Sequence, residues 1–367
     1  MQRINKPPSR YIPQLDGIRG IAILLVMGQH SFGFLPVFTF GWAGIDLFFV
    51  LSGYLITSRL LARHREPGYF SSFYRNRALR ILPLYYGFLI VFFAGIHFLA
   101  KKENLSLLSY YTIHWKSFFI FTENWTFIIY GAPLATNLLH FWTLAVEEQF
   151  YLVWPVVVYM LASHRSRMRV FLAIPPIVML IRMAIYFTHP HNGNGINIYF
   201  NTLCRADSLV IGALLSEIHH AKVRIPARLV NFLQLLSIAV IAISLFLFGK
   251  FGWTGAFFGT IGNTFTAIVW ACTMHKSITS SDSFTARFFS AGILRFFGKI
   301  SYGLYVLHYP IQLLLHKRLY DWETVHLQWS EMALQALAGI SCLLISMLLS
   351  MLSFRYYESF FLRLKKR

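Results

Sequence analysis

Arg19 and His30 stand eleven residues apart in LDGIRGIAILLVMGQH, inside an otherwise apolar stretch. A guanidinium at the centre of a bilayer helix costs roughly 2.5–3.5 kcal/mol on the insertion scale, so an ionisable residue there marks a functional position by default. Eleven steps of 100° return to within about 20° of the start and climb about 16 Å. The two side chains therefore share one stripe at two depths, as expected of a helix facing a protein-lined cavity. Asp46, in GIDLFFVLSGYLI, enters the next apolar run by about one and a half turns. There it is expected to pair with His30 and orient the imidazole, as a triad carboxylate does. Glu147 and Glu148, in FWTLAVEEQFYLVWP, lie about 100° apart and cannot both face one neighbour, while His140 shares the Glu147 face. Adjacent carboxylates at such depth need partners or protons. His308, in ISYGLYVLHYPI, falls at a matching depth, and Arg205 and Asp207, in CRADSLVIGALL at the outer end of the sixth span, read either as a local charge pair or, with His308, as supporting residues of the site. A histidine with carboxylates is equipped to deprotonate a hydroxyl and to stabilise the resulting imidazolium.

A second constellation is basic. RNRALRILPLYY places Arg77 and Arg80 three residues apart, with Arg75 just before them. On a helix, Arg77 and Arg80 are neighbours on one face, and paired guanidinium groups suit a polyanion such as a nucleotide phosphate.

The elements that position these groups are membrane helices. The 367 residues are 56% apolar and 13% charged, against about 25% charged in soluble proteins. The polar residues gather between apolar runs of about 20, the length that crosses a hydrocarbon core. No alternating barrel pattern is present, so the expectation is an all-α polytopic bundle in which helices satisfy the backbone. Ten spans are predicted, near 15–36, 41–61, 81–100, 140–162, 170–188, 204–218, 229–249, 254–275, 297–316 and 332–354. With the N-terminus inside, inner segments hold 24 Lys and Arg against 7 outside. The positive-inside rule then sets both termini in the cytoplasm. That distribution accounts for the net charge of +19, so the charge gives no reason to invoke nucleic acid.

Cys204, Cys272 and Cys342 have no metal spacing and read as inert packing residues, and no metal is expected. SFFIFTENWTFIIY (117–130) is too short to span and is broken by Glu123 and Asn124. It suits a re-entrant or interface-lying segment. With no linker, repeat or low-complexity tract, residues 1–367 are expected to form one integral-membrane domain without a soluble appendage.

Taken in order, the five motifs around Arg19 and His30, Asp46, Arg77 and Arg80, Glu147 and Glu148, and His308 resemble those of the membrane-bound acyltransferase family 3. The resemblance covers nearly the whole chain. It implies a ten-span bundle that moves an acyl group, most often acetyl, from cytoplasmic acyl-CoA to a hydroxyl beyond the membrane. The typical acceptor is a surface or exported carbohydrate or a lipid-linked sugar, and the setting is the bacterial inner membrane. Arg19 and His30 match the family's R-x10-H pair, Arg77 and Arg80 its R-x-x-R element, and Glu147 and Glu148 its fourth-span motif. On this reading acetyl-CoA is the donor, its phosphates held by the basic residues. His30 is the general base, and Arg19 and His30 line one cavity that donor and acceptor share. No G-x-S-x-G elbow points to a serine hydrolase mechanism instead.

Two alternatives remain at this point. One is the same chemistry on a macrolide or other small acceptor. The other is a proton-coupled transporter relaying through His30, Asp46 and Glu147; no inverted repeat or pair of broken helices supports it.

Overall fold

A computed structural model describes residues 11–100, 109–133, 136–188, 194–248, 255–280, 282–327 and 329–366. Residues 1–10 and 367, which bear on the expectation about both termini, lie outside the described residues, as do 101–108 and 134–135 of the longest predicted outer segment. The described chain is all-helical, 87% helix without strands. In order, the helices are α1 (Pro13–Phe32), α2 (Ala43–Ala62), α3 (Tyr69–Ala100), α4 (Ser109–Phe119), α5 (Glu123–Tyr130), α6 (Trp142–Met160), α7 (His164–Thr188) and α8 (Asn194–Tyr199). They are followed by α9 (Thr202–His220), α10 (Ala227–Phe248), α11 (Asn263–Thr279), α12 (Phe284–Phe289), α13 (Gly292–His326), α14 (Glu331–Leu352) and α15 (Ser359–Arg363).

Each predicted apolar run carries one of the long helices. Among the described residues, five segments are long and apolar enough to cross a membrane: Pro36–Ala62, Tyr69–Phe98, His164–Thr188, Ala227–Leu247 and Glu331–Arg363. Four of the other long helices, α1, α6, α9 and α13, hold polar residues singled out above. Arg19 and His30 lie on α1, Glu147 and Glu148 on α6, Arg205 and Asp207 on α9, and His308 on α13. In four of the five apolar segments only 22–28% of the most apolar window is buried. Their remaining Leu, Ile and Phe side chains face outward, as a lipid contact requires.

Local chemistry explains the element limits. Pro13 opens α1 at its first turn, where its missing N–H costs nothing. Asn201 caps α9 by accepting from the Leu203 N–H at 2.9 Å, and Ser283 caps α12 through the Ala286 N–H at 3.1 Å. Centrally, α1 packs along α13 and α2 along α9. A Cβ at Gly53 would lie 1.8 Å from the Leu209 carbonyl oxygen, and one at Gly44 would lie 2.6 Å from that of Ala22. These two glycines let α2 approach its neighbours backbone to backbone. The aromatic segment forms α4 and α5 with a sharp turn between them at Phe121, φ +55°. Glu123 and Asn124 turn inward, Asn124 donating to the Phe200 carbonyl at 3.0 Å and Glu123 accepting from the Tyr85 hydroxyl at 3.2 Å.

Candidate active site

The site comprises two cavities at different levels of α1. The first, the arginine cavity, is narrow, with a volume of about 100 Å³. Arg19, Arg77, Arg80 and Glu147 line it together with Ser52 and Tyr151. Its apolar wall comes from Phe48, Phe49, Leu51 and Leu55 of α2. Glu147 lies against the Ser52 and Tyr151 hydroxyls in the field of Arg77 and Arg19. Those two hydroxyls are hydrogen-bonded to each other. The Arg77 guanidinium sits over the Tyr151 ring, 5.0 Å from its centroid. Arg19 reaches Asp16 only at 3.4 Å, leaving most of its donors for the cavity.

More positive charge gathers here than the sequence motifs indicate. Arg59 interacts electrostatically with Arg77 and Arg80, and Lys365 with Arg80, Arg59 and Arg77. Burial lowers the Lys365 amine to about 7, and repulsion from those arginines adds to the effect. Cations held together this way favour a bound anion. Arg59 and Lys365 escaped the sequence reading because terminal basic residues look like positive-inside anchors. Only the fold brings residue 365 to residue 59. Arg75 is exposed and does not line the cavity.

The second, the histidine cavity, lies where α1 ends and is lined by His30, Gln29, Trp42, Tyr309, Gln312 and Lys317, among others. His30 Nδ1 is 2.8 Å from His308 Nε2. His308 Nδ1 in turn is 2.9 Å from the carbonyl oxygens of Leu304 and of Tyr305. Carbonyls only accept, so His308 Nδ1 carries the hydrogen. With both rings neutral, His308 Nε2 is then an acceptor, His30 Nδ1 donates to it, and His30 Nε2 keeps the lone pair. The fold thus holds His30 in the tautomer of a base.

A thin polar wall separates the cavities, so the expectation that Arg19 and His30 line one cavity is corrected. Thr143 and Tyr305 line the arginine cavity, and their hydroxyls are 2.5 Å apart. The Tyr305 hydroxyl also donates to the His140 carbonyl at 2.8 Å. His140 packs its ring 5.4 Å from those of His308 and Tyr305. Neither His140 nitrogen makes a hydrogen bond of ordinary geometry. Pro310 has no N–H to offer the Val306 carbonyl, and the backbone of Val306 and Tyr305 lies alongside His140. The rise of about 16 Å between Arg19 and His30 is the physical reason for two cavities: one stripe can serve both ends of a bundle.

Three further expectations change. Asp46 does not pair with His30; it accepts from Arg205 at 2.8 Å and from Ser208 at 2.9 Å, on α9. Arg205 and Asp207 are not a local pair either, because Asp207 accepts from Arg182 at 2.9 Å. Two positions apart on a helix, they point about 200° from each other and meet different neighbours. Finally, Glu147 belongs with the arginines, not at the level of His30. Glu148, one step round α6, is outside the arginine-cavity lining and leaves Oε1 buried without a partner. Among the described residues no group of three His, Cys, Asp or Glu side chains is arranged to hold a metal ion.

Residues 12–351 match a family model described as an acyltransferase domain. Among curated proteins, the chain is 31% identical over 333 residues to "Putative peptidoglycan O-acetyltransferase YrhL" of Bacillus subtilis, covering 82% of this chain and 49% of that protein. It is also 31% identical over 319 residues to "O-acetyltransferase OatA" of Staphylococcus aureus, covering 82% and 51% respectively. The chain spans about half the length of the curated relatives it matches. No solved structure matches it significantly.

Proposed function

This chain belongs to acyltransferase family 3, and from that membership we propose that it is a membrane O-acetyltransferase. It moves acetyl from cytoplasmic acetyl-CoA to a carbohydrate hydroxyl beyond the bacterial inner membrane. Ten helices cross the bilayer with both termini inside, an orientation supported by the excess of Lys and Arg in the segments placed there. The arginine cavity then opens toward the cytoplasm and takes the donor. Arg77, Arg80, Arg59 and Lys365 hold its phosphates, and Arg19 and Glu147 flank the pantetheine arm. The histidine cavity takes the acceptor. Trp42 and Tyr309 offer ring faces to a sugar, and Gln29 and Gln312 offer amides. Peptidoglycan, the substrate in the name of the Bacillus relative, is the leading acceptor class.

One observation carries the reading: the direction of the His30–His308 hydrogen bond. His30 Nε2 takes the proton of the acceptor hydroxyl as its oxygen attacks the thioester carbonyl. The His30 imidazolium keeps its Nδ1–H on His308 Nε2, which stabilises the new charge. Collapse of the tetrahedral adduct breaks the carbon–sulfur bond. The imidazolium returns its proton to the departing thiolate. Products are the acetyl ester and the free thiol, with His30 restored. For thioester and His30 to meet, the Thr143–Tyr305 contact must part.

The test uses the purified chain in liposomes with acetyl-labelled CoA and peptidoglycan fragments. His30→Ala, shown to be folded by size-exclusion chromatography, should lose at least about 100-fold in transfer, the low end for removal of a general base. Equal transfer by both proteins refutes the role of His30. No transfer by the wild type to any glycan fraction refutes the donor and acceptor assignment.

A further inference from the structure

A third cavity lies apart from the two of the proposed site. Tyr54 of α2, His219 of α9, and His275 and Lys276 of α11 line it, with Lys222 and Arg224 from the loop between α9 and α10. Helix α2 gives Ser52 to the arginine cavity and Tyr54 to this one, about 200° apart on its circumference. The two spaces are on opposite sides of that helix. The lining carries three permanent cations and no Asp or Glu. Carboxylates do occur nearby. Glu217 is buried and already bound by Arg167 at 2.7 Å and His164 at 2.6 Å. Asp282, in the loop before α12, does not line the cavity.

A hydrogen-bonded chain of side chains also ends in the cavity wall. The Tyr54 hydroxyl is 3.1 Å from His219 Nδ1, and His219 Nε2 is 2.9 Å from His275 Nδ1. When Tyr54 donates, every link in this chain points the same way, and the chain ends in an N–H at His275 Nε2. Lys276 spends one ammonium hydrogen on Gln234 Oε1 at 2.5 Å, and two remain. Lys222 adopts the left-handed conformation at φ 54°. It follows α9 at the position where glycine is favoured, and the Val223 N–H closes the turn on the Ile218 carbonyl at 3.0 Å. A lysine there is strained, and strain of that kind collects at working sites. An excess of cytoplasmic cations explains neither the acid-free cavity nor the histidine chain that ends in it.

We propose that this cavity is a second anion site, independent of the acyl donor, that binds a phosphate group through Lys222, Arg224, Lys276 and His275. An anionic phospholipid headgroup and a soluble phosphate compound present the same chemistry, and binding experiments separate them. The full chain in detergent is titrated with phosphatidylglycerol, with phosphatidylcholine and, separately, with inorganic pyrophosphate, and binding is read by native mass spectrometry.

Lys222→Gly relieves the strained turn, so it should melt no lower than the wild type while binding a few-fold more weakly. The triple variant Lys222→Gln, Arg224→Gln, Lys276→Gln should weaken binding at least about tenfold. The same loss should appear when the triple variant is made in an Arg77→Gln, Arg80→Gln background, which removes phosphate binding at the donor site. Preference for phosphatidylglycerol over phosphatidylcholine, lost in the triple variant, assigns a lipid headgroup. Pyrophosphate binding lost in the triple variant, without lipid preference, assigns a soluble phosphate. If the triple variant binds like the wild type, or the wild type neither discriminates between the lipids nor retains pyrophosphate, the proposal is overturned.

Discussion

His308 does not border the acyl donor, yet its removal should slow the reaction. His308→Ala takes away the acceptor 2.8 Å from His30 Nδ1. In the ground state that is a bond between neutral rings, worth about 1 kcal/mol net. In the transition state His30 is becoming an imidazolium, and a hydrogen bond from a charged donor is worth about 1.5–3 kcal/mol. On the proposed mechanism both bonds are lost, so the barrier rises by the difference, about 0.5–2 kcal/mol, which is about 2–30-fold in kcat. The freed ring also gains access to its other tautomer, in which Nε2 carries hydrogen and cannot act as a base. His308→Gln offers an amide oxygen near the same point, so it should stay within about tenfold of wild type. The assay is steady-state acetyl transfer in liposomes with donor concentration varied. The donor KM should not move, because His308 is absent from the arginine-cavity lining. A folded His308→Ala with wild-type kcat refutes the tautomer argument, as does a Gln variant no better than Ala.

Asp46→Asn leaves Arg205 fully buried with no carboxylate, and breaking such a pair costs about 3–5 kcal/mol; thermal unfolding in detergent should show a large drop in midpoint, with part of it recovered when Arg205→Met is added. Arg80→Gln should raise the donor KM roughly tenfold with little change in kcat, as expected for one lost charge-assisted bond, and the defect should shrink at high salt, where screening weakens the wild-type contact too. Lys365 supplies a pH dependence: its amine sits at about 7, so it is charged below that pH and loses its charge as pH rises through it. Donor affinity should therefore fall between pH 6 and 8, by less than tenfold per unit; Lys365→Arg should keep affinity flat across that range, and Lys365→Gln should be flat at the weaker level. A wild type with no slope there removes Lys365 from the donor site.

What the sequence disclosed and what it withheld follow from the geometry of a helix. Depth along an apolar run can be counted, so the long helices fall where the runs predict and Arg19 and His30 share the stripe that 100° per residue requires. Azimuth relative to other helices cannot be counted. Asp46 sits at the predicted depth but faces Arg205 on α9 rather than His30. His308 was selected for its depth alone, and the fold adds what depth could not give: contact with His30 and a fixed proton direction. Arg59 and Lys365 were visible only as members of the inner charge count. Their convergence depends on α14 continuing through a π-helical stretch, Ser353–Glu358, into α15, which brings the chain end back against α3.

Three of the helices outside the five most apolar segments, α1, α6 and α13, carry His30, Glu147 and His308. Polar groups in lipid are tolerated only where protein surrounds them. Arg182, Arg205, Asp46 and Asp207 are wholly buried and cross-linked between helices. Two buried ion pairs add little net stability, because desolvation offsets the attraction, but each is strongly directional. They fix the rotation of α2 and α9 against α7, and the rotation of α2 decides that Ser52 faces the arginine cavity and Tyr54 the opposite side. Asp46, expected to orient His30, thus belongs to an orientation device instead. Arg19, by contrast, meets Asp16 only at 3.4 Å and lines the arginine cavity, so most of its donors stay available to what enters there.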